Sequence, residues 1–277
     1  MNKSVLLLVA FSFAALPARA DLIVTYAEDP NLTVSSLTGT QVFDFNSMKI
    51  GTNTNVVWEG VGTFDQLYIK SADAYGGAAD ATNPNGSRYS VQGAGTPVTS
   101  TTLQLDIASS YFGMWWSAGD PRNVLTFFSG DTLVGSFTTS SLLNPLPSSY
   151  YGNPLNRTTN SSEPYAFINF YGDEMTSWDR IVFTNDGRSG FESDNYTSRV
   201  AAWKPEEDGA LAGVPVAIVS GTTTTVVTAE SLAETRWVLD ETSVAAVPAA
   251  PAPPLVLLVA FAVVFAVRRF RAAPAAA

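Results

Sequence analysis

The chain predicts an all-β fold: a jelly-roll-like antiparallel β-sandwich, with an N-terminal signal peptide and a single C-terminal apolar helix. Three observations point there. Short alternating or continuous apolar runs are bounded by clusters of Gly, Pro, Asn, Asp and Ser, the pattern of strands joined by turns. No stretch ahead of Leu255 places apolar residues at helical spacing. Residues 21–200 are also long enough to bury a core as one domain.

The elements follow in order. Lys3 precedes an apolar run from Val5 to Leu16, broken by Pro17. Ala18 and Ala20 then stand at the two small-residue positions that a signal peptidase reads, so residues 1–20 are expected to be removed on export. Strands are expected at Leu22–Tyr26, Gln41–Phe45, Asn55–Glu59, Leu67–Lys70, Thr102–Ile107, Ala166–Phe170 and Asp179–Thr184. The clearest unit is YFGMWWSAGDPRNVLTFFSGDTLVGSF. It reads as three successive antiparallel strands: Tyr111–Trp116, Val124–Phe128 and Thr132–Thr138. The last carries Leu133, Gly135 and Phe137 on one face and Val134 and Ser136 on the other. Residues 71–97 and 143–164 are rich in Gly, Asn, Ala, Pro and Ser and read as long surface loops.

Past Arg199 the pattern changes. Residues 201–240 contain an apolar run, Val214–Val219, and the segments TTTTVVT and TRWVLD. They are either late strands of the same sandwich or a small β appendage. Residues 241–254 form a Pro/Ala-rich linker. Leu255–Val267 would make a helix of roughly 20 Å, against a bilayer core of ~30 Å, so spanning requires help from the lead-in that starts at Val247. Arg268, Arg269 and Arg271 suit a cytoplasmic end.

Charge separates body from ends. Of 15 Lys and Arg, the two ends hold Lys3, Arg19, Arg268, Arg269 and Arg271, while all 25 acids lie between Asp21 and Val247. The body is thus left with a net charge of −15, which repels phosphate backbones and argues against nucleic acid as a partner. There is no Cys and no His. Disulfides, Cys/His zinc sites and His-dependent nucleophiles are excluded. Carboxylate chemistry and oxygen-ligated metals remain.

Glu192, Asp194 and Asn195 lie close together in GFESDNYT, with Asp44 and Asp173 on other segments. Such oxygens suit a structural Ca²⁺, but they equally suit turns whose side chains hold backbone N–H groups. Asp120 and Asn123 flank Pro121 and read either as a ligand site at a strand end or as an Asp-Pro turn. Trp115 and Trp116 are adjacent and must face opposite sides of a strand. One is expected in the core, leaving the other as a platform for a sugar ring. A glycosidase would need two carboxyls about 5–5.5 Å or roughly 6.5–9.5 Å apart across a cleft. The acids here sit mostly in turns, and the expectation is a protein that is not an enzyme.

Two regions carry a family resemblance. Val247-Pro248-Ala249-Ala250-Pro251, the apolar run and the Arg cluster resemble the PEP-CTERM sorting signal, with Ala249-Ala250 in place of the usual Glu-Pro pair. The segments WWSAGDPRNVLTFFSGDTLVGSF and WDRIVFTNDGRSGFESDNYT resemble the exosortase-dependent surface proteins that carry such tails. The resemblance implies export, membrane tethering through the tail, and recognition by exosortase at the sorting residues Val247, Pro248, Arg268, Arg269 and Arg271. It further implies display in the cell envelope, on the outer surface or in the extracellular matrix, with a structural or interaction role. A carbohydrate-binding module for extracellular polysaccharide, with or without calcium, is the alternative, and a hydrolase is the third reading.

Overall fold

The computed structural model describes residues 21–78, 83–143, 145–185, 188–208, 211–228 and 230–231. Outside them lie Ala18 and Ala20, the segment 235–240, the linker, Val247 and Pro248, the apolar run and its three arginines. The chain divides at Ala229 into two units; the fold below is that of the first. Among the described residues no helix is long and apolar enough to cross a membrane.

The strands are β1 (Leu22–Tyr26), β2 (Gln41–Phe43), β3 (Gly51–Trp58), β4 (Gly62–Lys70), β5 (Tyr89–Gly93), β6 (Ser100–Ser109) and β7 (Tyr111–Ser117). They continue with β8 (Val124–Ser129), β9 (Thr132–Thr138), β10 (Ala166–Gly172), β11 (Trp178–Thr184), β12 (Gly190–Arg199), β13 (Val214–Ser220) and β14 (Thr223–Val226). They form one sheet of 14 strands in the order β14-β13-β1-β10-β7-β12-β5-β4-β6-β11-β8-β9, with β2 also on β12 and β3 on β4. Every strand pair is antiparallel. The sheet curls until its ends meet. Ser136 N donates to Gly221 O at 2.7 Å, and Gly221 N to Val134 O at 3.0 Å. This contact satisfies backbone groups that two open edges would leave unpaired.

Inside lies one aromatic core. Phe112, Phe127 and Phe170 meet there, as do Phe183 and Tyr196, whose rings stack at 4.8 Å. Each large side chain so buried contributes roughly 1.5–3 kcal/mol. The register of β9 departs from simple alternation. Phe127 pairs with Gly135 but Phe128 pairs with Leu133. The resulting bulge lets Val134 join Phe137 in the core, where alternation would put them on opposite faces.

The expected three-strand unit is divided. β8 and β9 form a hairpin beside β11, whereas β7 lies between β10 and β12. The loop from Ser117 to Asn123 crosses from one part of the sheet to the other. Two strands fall where the sequence predicts loops or acidic turns. β5 lies within residues 71–97, and β12 contains the GFESDNYT segment. Residues 214–226 add β13 and β14 to the same sheet through β1.

Strands β1, β10, β7 and β12 are buried on both faces. The outer face is covered by loops rather than by a second sheet. A small cluster of Ala27, Ala78, Trp115, Ala118, Tyr165 and Phe167 packs there. Polar bonds complete the cover. Tyr111 Oη donates to Asn169 Oδ1 at 2.7 Å, and Asn169 Nδ2 donates to Thr25 Oγ1 at 3.0 Å.

Candidate functional site

The site grows from three loops that converge on the outer face at the start of β12. The first follows β4. Asp73 Oδ1 accepts the N–H groups of Tyr75 at 2.8 Å and Gly76 at 3.2 Å. Tyr89 Oη donates to both Asp73 carboxylate oxygens at 3.1 Å, and Lys70 Nζ lies 3.3 Å from Asp73 Oδ2. The next carbonyl, Ala74 O, accepts from Tyr165 Oη at 2.9 Å and from Asn153 Nδ2 at 3.1 Å. The turn is therefore fixed on both sides, and its Tyr75 ring stands 53% exposed.

The second loop leaves β7. Ala118 adopts φ 43°, a left-handed conformation disfavoured for a residue with a Cβ. Asp120 Oδ1 then accepts Arg122 N at 2.8 Å, the bond of the Asp-Pro turn. Gly119 N donates to Pro164 O at 2.9 Å, joining this loop to the third, which carries Glu163.

Glu192 lies at the base. It pairs across the ladder with Ser117, as Asp194 does with Trp115. Gly190 has no side chain to obstruct it; a Cβ there would land on Glu192 Oε1. Together Lys70, Tyr75, Asp120, Glu163, Arg188 and Glu192 line a pocket of about 470 Å³. Glu192 is only 5% exposed. Burial pushes its carboxyl up to about 8, with smaller upward pushes from Asp120 and Asp73 and downward ones from its own backbone N–H and from Lys70. Glu163 is also raised, by burial first and by Asp120 second.

The five residues expected to hold calcium do not converge. Asp44 and Asp173 are turn residues whose Oδ1 atoms accept Asn46 N at 3.1 Å and Met175 N at 3.0 Å. Asp194 is fully buried and accepts from Ala78 N at 3.0 Å, from Ser87 Oγ and from Asn195 N at 2.7 Å. Burial still raises its carboxyl to about 7 against these three bonds. Asn195 sits at a bulge with φ 48° and donates its Nδ2 to Thr33 O at 2.8 Å. Only Glu192 of the five reaches the pocket. Among the described residues no three acidic side chains group to hold a metal ion.

The tryptophan expectation is corrected. Trp115 and Trp116 do face opposite ways, yet both have 0% exposure. Trp116 joins the main core, and the loops carrying Ala78 and Tyr165 cover Trp115. Neither offers a face to a sugar. Tyr75, Lys70, Glu163 and Arg188 were not singled out from sequence. The available signal was a lone aromatic residue after an Asx-turn residue in a Gly/Ala-rich loop, Asp73-Ala74-Tyr75-Gly76.

No family model and no curated protein matches the chain. One solved structure, the catalytic domain of a GH87 alpha-1,3-glucanase in complex with tetrasaccharides, aligns at 12% identity with a TM-score of 0.28. The alignment covers 68% of this chain and 31% of that one. A superposition this loose assigns neither fold nor function.

Proposed function

We propose that this is an exported surface or matrix protein whose β domain binds polysaccharide in the pocket beneath Tyr75. The observation that carries the reading is the combination of that half-exposed ring with a polar pocket holding Lys70, Asp120, Glu163, Arg188 and Glu192. An aromatic face takes the apolar side of a sugar ring, and charged groups bond its hydroxyls. The well-tied turn around Asp73 supports a preformed site, which lowers the ordering cost of binding. We read the protein as a binder and not a catalyst, and the curled, non-sequential sheet as a jelly-roll-like sandwich.

The sequence supports the route to the surface. The signal layout ending at Ala18 and Ala20, and the tail with Val247, Pro248 and three terminal arginines, fit export by signal peptidase and sorting by exosortase. A glycan array with the full chain, run with and without a chelator, tests the binding. Expected is sugar binding that Tyr75→Ala weakens by about tenfold or more; equal loss on chelation would bring calcium into the site. Absence of any glycan binding would leave a purely structural role. Mass spectrometry of the protein from its native host tests the sorting. A mature C-terminus near Val247 is expected, and an intact end through Arg271 would overturn cleavage.

A further inference from the structure

Glu192 has an unusual position among the buried polar groups of the outer face. Asp194, its neighbour on the same face of β12, is satisfied by three donors. Glu192 is nearly as buried, lines an open pocket, and has no side-chain donor or ion pair among the described residues; its own backbone N–H and the charge of Lys70 offset its burial only in part. A carboxyl in that state is costly as an anion unless a cation arrives.

The surrounding charges sharpen what would arrive. From β4 and its following loop come Lys70, already 3.3 Å from Asp73, and Asp73 itself. From the loop after β7 comes Asp120, from the segment before β10 Glu163, and from the segment before β12 Arg188. The acids Asp73, Asp120, Glu163 and Glu192 outnumber the bases Lys70 and Arg188. Tyr75 adds an exposed ring whose face attracts a cation. An acidic sugar would meet repulsion here, and a neutral one would leave Glu192 without a counter-charge.

We infer that the pocket selects a polysaccharide with free amino groups, a deacetylated hexosamine polymer, whose ammonium pairs with the buried Glu192 beneath Tyr75. The inference rests on the polysaccharide-binding reading and adds the chemical class of the sugar. The burial-raised pKa of Glu192 agrees with it, since pairing with an ammonium relieves the penalty of ionising the group.

The test is calorimetric titration of the full chain, near neutral pH, with three matched β-1,4-linked oligosaccharides: glucosamine, N-acetylglucosamine and glucose. The glucosamine oligomer should bind at least ~10-fold more tightly than the other two, a difference characteristic of one charge-assisted contact. Glu192→Gln keeps the shape and should erase that preference, so that the glucosamine oligomer binds no more tightly than the glucose oligomer. Glu163→Gln, at a partly exposed site, should reduce the preference less, and it serves if the Glu192 variant fails to fold. Equal affinity for all three oligosaccharides, or a preference that survives Glu192→Gln, overturns the amino-sugar inference and leaves sugar binding standing. No binding of any of the three overturns both.

Discussion

Asp194 holds Ala78 from across the chain: the Ala78 N–H donates to Asp194 Oδ2 at 3.0 Å, spanning 116 residues of sequence. Ser87 Oγ donates to the same oxygen. One side chain on β12 thus fastens two points of the connection between β4 and β5: Ala78, which packs in the cluster around Trp115, and Ser87, just ahead of β5. Asp194→Ala should lower stability by roughly 2–4 kcal/mol, because three donors lose a buried acceptor. Urea unfolding measures the loss, and faster hydrogen exchange at Ala78 would locate it. Unchanged exchange there would contradict this role.

Stability should fall as pH rises through neutrality. Burial raises Glu192 to about 8 and Asp194 to about 7, whereas both titrate near ~4 when unfolded. A carboxyl with a raised folded pKa stabilises fully below its unfolded value, and that contribution is lost as pH passes the folded value. Unfolding free energy should therefore be larger at about pH 5 than at about pH 8, by an amount on the order of a few kcal/mol, and the thermal midpoint should be higher at the lower pH. Asp208, held down at about 2 mainly by its bond from Arg199, acts in the opposite sense, but only below about pH 4. Glu192→Gln should flatten the neutral slope. Midpoints that climb from pH 5 to pH 8 would refute the assignment.

Tyr75→Ala should separate binding from folding. The ring is half exposed, and the turn beneath it is held through Asp73 and the Ala74 carbonyl. Stability should change by less than about 0.5 kcal/mol, the usual range for an exposed site. Sugar affinity should fall by about tenfold or more, as expected when a stacked aromatic is removed. A destabilised variant would show that the ring packs against the protein instead.

Gly190→Ala tests how Glu192 is aimed. The new methyl group would land on the Glu192 carboxylate, the free end of a flexible side chain. The carboxylate should swing aside at a cost of about 1–3 kcal/mol, and the preference for amino sugars should weaken. A titration curve identical to that of the parent would show that the position of Glu192 does not govern recognition.

Strand bounds are legible in the sequence where turn residues flank an apolar run. Leu22–Tyr26 and Thr132–Thr138 are found with the predicted bounds, since turn residues and apolar runs are local signals. β12 was misread for a physical reason. Its Glu, Ser, Asp and Asn look like a solvated acidic turn, yet β5, β7 and three loops bury them. A polar strand with both faces covered carries no local mark of its burial. β5 was hidden in the same way, inside a loop rich in Gly and Ala.

By itself the sequence determined the all-β class, the exclusion of Cys and His chemistry, and the acidic charge of the body. These rest on composition and on contiguous patterns. Tertiary structure alone decided that β7 and β8 part company, that Trp115 is roofed by loops, and that the acidic residues expected to share a metal go separate ways. It also brought Tyr75, Asp120, Glu163 and Glu192 to one pocket. Their segments are far apart in the chain, and only the order in which the strands pair sets which of them meet.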